Sequence, residues 1–79
     1  MAIIMDAECL VVQYDPERKR GFLHNKRFGY MTFNATALWK GGFHTVKEGK
    51  FVDCEIRNRA DGWQAICITR IKDGTDDPT

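Results

Sequence analysis

Phe51-Val52-Asp53-Cys54-Glu55-Ile56-Arg57-Asn58 alternates apolar and charged side chains with a period of two. Successive side chains of a strand point to opposite faces, so Val52, Cys54 and Ile56 face a core while Asp53, Glu55 and Arg57 face water. Arg59-Ala60-Asp61-Gly62 follows and carries the Asp-Gly pair of a tight hairpin turn. Trp63 to Ile71 then reads as the returning strand, in which Gln64, Ile66 and Ile68 alternate with Ala65, Cys67 and Thr69.

The same punctuation continues toward the N-terminus. Glu8 to Tyr14 is rich in β-branched and apolar residues and is halted by Asp15-Pro16-Glu17, which is turn chemistry. A second strand runs from Lys19 to Asn25, with Arg20, Phe22 and His24 on one face and Gly21, Leu23 and Asn25 on the other. After Lys26-Arg27-Phe28, a third strand from Gly29 to Phe33 sets Tyr30 and Thr32 against Met31 and Phe33. Asn34 to Leu38 suits one helical turn, with Asn34 or Thr36 as its cap. Trp39-Lys40-Gly41-Gly42-Phe43-His44-Thr45 reads as a glycine-hinged loop, and Val46-Lys47-Glu48-Gly49-Lys50 as the turn into the fourth strand. Residues 1–6 are an apolar lead-in whose packing the sequence leaves open. Five short strands with turns between them predict an all-β chain: a small five-stranded antiparallel barrel of the OB type. One domain is expected over 1–71, and residues 72–79, with one base against three acids, as a disordered acidic tail.

Composition narrows the function. The net charge is only +1, but the segment from Glu17 to Arg27 holds five bases and one acid. A local basic stripe matters more for nucleic-acid binding than the total does. Within Arg18 to Phe33 lie five of the twelve basic residues and four of the nine aromatics. Cations neutralise phosphates and flat rings stack on unpaired bases, so this mixture suits single-stranded nucleic acid. The alternative is a hairpin with a solvated cationic edge and aromatics that are core. Cys9, Cys54 and Cys67 are widely spaced, with no Cys-x-x-Cys, and read as buried thiols in a reducing compartment rather than as disulfides or a zinc site. The opening apolar residues are too short for a signal peptide or a membrane span, and a cytoplasmic protein is expected. The chain contains no serine, and His24 and His44 stand without a nucleophile at motif spacing, so no enzyme activity, metal or cofactor is expected.

The order of motifs resembles the cold-shock domain from about Cys9 to Arg70. Gly42-Phe43, Val46-Lys47-Glu48-Gly49-Lys50 and Val52-Asp53-Cys54-Glu55-Ile56 look like that family's loop phenylalanine, Glu-Gly turn and fourth strand. Gln64-Ala65 resembles its fifth strand, with Trp63 in place of the usual proline. The first binding motif, Lys-Gly-Phe-Gly-Phe-Ile, corresponds to Arg18-Lys19-Arg20-Gly21-Phe22-Leu23, with Arg20 in place of the first phenylalanine. The second, Val-Phe-Val-His-Phe, corresponds to Gly29-Tyr30-Met31-Thr32-Phe33, with Thr32 in place of the histidine. Gln13-Tyr14 stands where the family has Trp-Phe.

The resemblance implies single-stranded RNA or DNA as partner. Arg18, Lys19, Arg20, Lys26 and Arg27 would meet phosphates. Phe22, Tyr30, Phe33, Phe43 and Trp39 would stack on bases, with Trp63 as a further candidate. His24 and Thr32 would bond base edges. The departures from the family also allow a second reading, in which the remodelled face regulates transcription or translation by docking on a protein of that machinery. The sequence does not distinguish RNA from DNA, name such a protein or fix an oligomeric state.

Overall fold

A computed structural model describes residues 3–72. Five strands, β1 (Ile4–Asp15), β2 (Arg20–Asn25), β3 (Gly29–Phe33), β4 (Phe51–Arg59) and β5 (Gly62–Ile71), and one helix, α1 (Ala35–Lys40), make up the chain. The strands close in the order β1-β2-β3-β5-β4, an OB-like barrel. Four of the pairings are antiparallel, but β3 and β5 run parallel, meeting at Thr32 and Gln64. The barrel is therefore mixed and not the purely antiparallel one expected. The reason is parity: strands that alternate in direction cannot close a ring of odd number, so one pairing must be parallel.

The predicted elements appear with small shifts. β1 begins at Ile4 rather than Glu8, so the apolar lead-in is part of the strand. β2 begins at Arg20 because Lys19 takes a left-handed conformation, φ 54°, at the end of the turn. That turn is held by the Asp15 carboxylate, which accepts from the Glu17 and Arg18 N–H groups at 3.0 and 3.3 Å. α1 runs two residues past Leu38, ending at Lys40, so Trp39 stands on a helix rather than in a loop. Asn34 is its cap, accepting from the Thr36 and Ala37 N–H groups.

Bulges decide which side chains reach the core. On β1 the register slips between Val11 and Gln13, which lets Cys9, Val11 and Tyr14 all point inward. On β5 the register skips Thr69 and Ile66. Ala65 and Ile68, an odd number of residues apart, are therefore both buried, and the simple alternation expected for β5 fails. Cys67 is turned to a half-buried position instead of joining Cys9 and Cys54 in the core. On β4 the alternation holds, with Val52, Cys54 and Ile56 fully buried.

Two glycines allow backbones to touch. A Cβ on Gly21 would lie 2.0 Å from the carbonyl oxygen of Gln13 across β1–β2, and one on Gly41 would lie 1.6 Å from that of Ile68, where α1 ends against β5. Lys72, expected in the tail, is instead held to the barrel. Its N–H donates to the Phe51 carbonyl, and its ammonium reaches Glu8 Oε2 at 2.7 Å and Asp53 Oδ1 at 3.3 Å. The rest of the expected tail, 73–79, lies outside the described residues. Among the described residues, no helix is long and apolar enough to cross a membrane.

Candidate functional site

The outer face of β2 and β3 carries the site. Phe22 is 45% exposed and Tyr30 68% exposed, both pointing away from the core that Leu23, Met31 and Phe33 fill. An apolar ring left in water forgoes roughly 1.5–3 kcal/mol of burial. In a chain this short such rings are informative, because its core is small.

Register arranges the face in two rows across the strands. Gln13, Phe22, Thr32 and Gln64 are successive cross-strand partners over β1, β2, β3 and β5. Leu10, His24 and Tyr30 form the next row. The His24 ring meets Tyr30 edge-on, 4.7 Å between centroids. Two clefts, about 520 and 360 Å3, flank the first row and share Phe22, Thr32 and Gln64. The first also takes in Arg20, Asp15, Gln13 and Asn34. The second takes in Tyr30, Trp63, Arg59 and Asp61. Phe22 is thus a ring between two recesses whose walls carry amide and hydroxyl groups.

Turn chemistry places the cations. Asn25 accepts from the Arg27 and Phe28 N–H groups at 2.8 Å each and donates through Nδ2 to the Glu8 carbonyl at 2.8 Å. With Gly29 at φ 82° this fixes a three-residue loop that projects Lys26 and Arg27 outward. The Arg27 guanidinium lies over the Phe28 ring, 5.4 Å from its centroid. Lys19 donates to the His44 carbonyl at 3.1 Å, tying the β1–β2 turn to the segment after α1. Arg18 lies 3.9 Å from Asp15, an exposed pair of little energetic weight. Among the described residues, Arg20 and Lys26 form no ion pair.

Three of the sequence candidates fall elsewhere. Phe33 is 1% exposed and stacks on Tyr14 in the core, 5.8 Å apart and 8° from parallel, so it presents no free face to a base. It nevertheless forms part of the wall of the first cleft. Phe43 folds back against the core, its N–H donating to the Leu38 carbonyl. Trp39 is 58% exposed but lines neither cleft. Arg18, Lys19, Arg20, Phe22, His24, Lys26, Arg27, Tyr30 and Thr32 do lie on or around the face. Gln13, at the place of the family's strand-one tryptophan, joins it, as do Asn34, Gln64, Arg59 and Asp61, the last three brought near Thr32 and Tyr30 only by the closure of β3 on β5.

The thiols lie apart from this site. Cys54 donates to Cys9, Sγ to Sγ 3.5 Å, inside the core. That hydrogen bond, with burial, pushes the Cys54 thiol far up, while it draws Cys9 down. A thiol so buried is a poor nucleophile. Among the described residues there is no cluster of His, Cys, Asp and Glu that could hold a metal. Comparison with known proteins gives no match, either to a family model or to a curated protein sequence.

Proposed function

We propose that the chain is a single-stranded nucleic-acid binding module of cold-shock type, working by binding and not by catalysis. One observation carries this reading: Phe22 and Tyr30 stand exposed on adjacent strands, between recesses lined by amides and within a rim of cations. Successive bases stack on such rings at about 1–3 kcal/mol each, and every base has a π-face to offer. Gln13, Thr32 and Gln64, in the same cross-strand row as Phe22, supply donors and acceptors. Arg20, Lys26 and Arg27 supply charge for the phosphates, and a guanidinium also stacks on bases. The resemblance to the cold-shock domain supports the same reading, although Arg20 and Thr32 shift the balance from stacking toward electrostatics. The absence of disulfides among Cys9, Cys54 and Cys67 suits a reducing cytoplasm.

The test is fluorescence anisotropy of a short labelled single strand, RNA and DNA in turn, at low and moderate ionic strength. Saturable binding is expected, with a log–log salt slope of about −3 if roughly four phosphates are neutralised. Arg20→Phe keeps or tightens that binding. No binding at low salt would overturn the reading and turn the search to a protein partner for this face.

A further inference from the structure

β1 changes strand partner along its length, and only Leu10 is paired on both sides. β2 meets it from Leu10 to Asp15, whereas β4 meets it from Ile4 to Leu10. Among the described residues, Ile4 to Cys9 therefore have a strand neighbour on one side alone. The direction of the free groups can be worked out. Along a strand, the N–H and C=O of one residue point to the same side, and the sides alternate. The Glu8 carbonyl accepts from Asn25 on the β2 side, while the Ile3 carbonyl accepts from the Asn58 N–H on the β4 side. Ile4 and Asp6 share the parity of Glu8, so their N–H and C=O groups face the open side. Asn25 closes the gap at Glu8 and leaves an edge two pairing residues long.

That edge is short and carries Asp6, but its apolar end is uncovered. Ile3 and Ile4 are each 56% exposed, and Met5 is exposed beside them. On the outer face, Asp6 pairs across to Glu55 and Glu8 to Asp53, making a two-by-two block of carboxylates. Lys72 bridges Glu8 and Asp53, but Asp6 and Glu55 form no ion pair among the described residues. On the inner face, Met5 and Ala7 continue the row of Cys9.

We infer that this edge receives an extended segment of another protein, one that alternates basic and apolar side chains, added as a strand beside Ile4–Asp6. Main-chain hydrogen bonds to Ile4 and Asp6 hold it, its cations meet the carboxylate row, and its apolar side chains cover Met5 and Ile3.

The probe is a labelled peptide of alternating lysine and valine, with alternating glutamate and valine as control, followed by anisotropy against the full chain. Saturable binding of the lysine peptide alone is expected. Asp6→Lys should weaken it about tenfold by reversing the charge contact, with the melting temperature little changed. Ile4→Pro should do the same, because its N–H faces the open side and β4 loses nothing. No binding of the lysine peptide, equal binding of both peptides, or indifference to both variants would overturn the inference. So would a dimer of the free chain that Ile4→Pro dissociates, since the edge would then belong to a second copy.

Discussion

The β2–β3 hairpin and the β4–β5 hairpin are built from similar apolar material and arrange it differently. β4 and β5 bury their aliphatic residues, with Val52, Ile56 and Ile68 inside and Asp53, Glu55 and Thr69 outside. β2 and β3 also fill their inner face, with Leu23, Met31 and Phe33, but leave Phe22 and Tyr30 in water beside cations. Among the described residues, the one large ring that the β4–β5 hairpin leaves exposed is Phe51, at the start of β4. On the proposed function, the first hairpin gives up burial for a surface that contacts a ligand, while the second serves the core.

The largest expected effect tests the geometry of the first hairpin. Gly21→Ala places a Cβ 2.0 Å from the Gln13 carbonyl oxygen, with no flexible side chain to yield. It should cost at least about 4 kcal/mol, enough to unfold a domain of this size in a urea titration. Gly62→Ala in the second hairpin meets nothing within 4 Å and suffers only its φ of 128°. It should cost about 1–3 kcal/mol. Equal stabilities would remove the close β1–β2 crossing from the account.

The next effect separates two phenylalanines that the sequence offers alike. Phe33→Ala should lose about 3–5 kcal/mol of stability. Phe22→Ala should leave the melting temperature within a few degrees while weakening oligonucleotide binding by about 1–3 kcal/mol, as should Tyr30→Ala. A stability loss for Phe22→Ala as large as that for Phe33→Ala would erase the distinction between the hairpin's faces.

Lys19 gives a smaller and opposite pair of effects. Its φ of 54° is a strained place for a side chain, so Lys19→Gly should raise stability by up to about 1 kcal/mol. The same change removes a cation from the rim and should make the salt slope shallower by about 0.7. Both readouts moving together would place the strain at the binding face.

The smallest effect belongs to Lys72. Hydrogen bonds from Glu8 and then Asp53 raise its pKa above the ordinary 10.5. A raised value means the folded state holds the proton more tightly, so the contribution is complete below pH 10.5 and is lost as pH rises through the higher folded value. Lys72→Met should lower the melting temperature slightly at neutral pH, and the difference should close only in strong alkali. A gap that closes near neutrality would assign the effect to another group.

Much of the fold was legible because turn and strand residues agree locally. Asp15-Pro16 and Asp61-Gly62 marked turns, and the alternation from Val52 to Ile56 marked a core strand. The parallel closure was not legible as a pairing, although the count of five strands already required one. The bulges at Val12, Ile66 and Thr69 carry no residue signature, and each inverts the faces beyond it, which is how Ala65 and Ile66 came to differ from expectation. In the site, alternation separated Phe22 from Leu23 correctly. It also set Phe33 opposite Tyr30, where burial follows, and the family pattern overrode that reading. Trp39 and Phe43 were misplaced because α1 runs to Lys40 and turns the following chain back onto the core. Gln64, Arg59 and Asp61 come to the face from the other hairpin, through closure alone.

On the proposed function, the Phe22–Tyr30 face takes up single-stranded nucleic acid. Trp63 lines the second cleft and lies against Phe28, 4.6 Å between ring centroids, whereas Trp39 stands apart. A Trp39→Phe variant therefore leaves one tryptophan as a reporter inside the site. Its emission should be quenched saturably by a short single-stranded oligonucleotide at low salt, with affinity falling as salt rises. An emission that does not change at low salt, where electrostatic attraction is strongest, would contradict the claim.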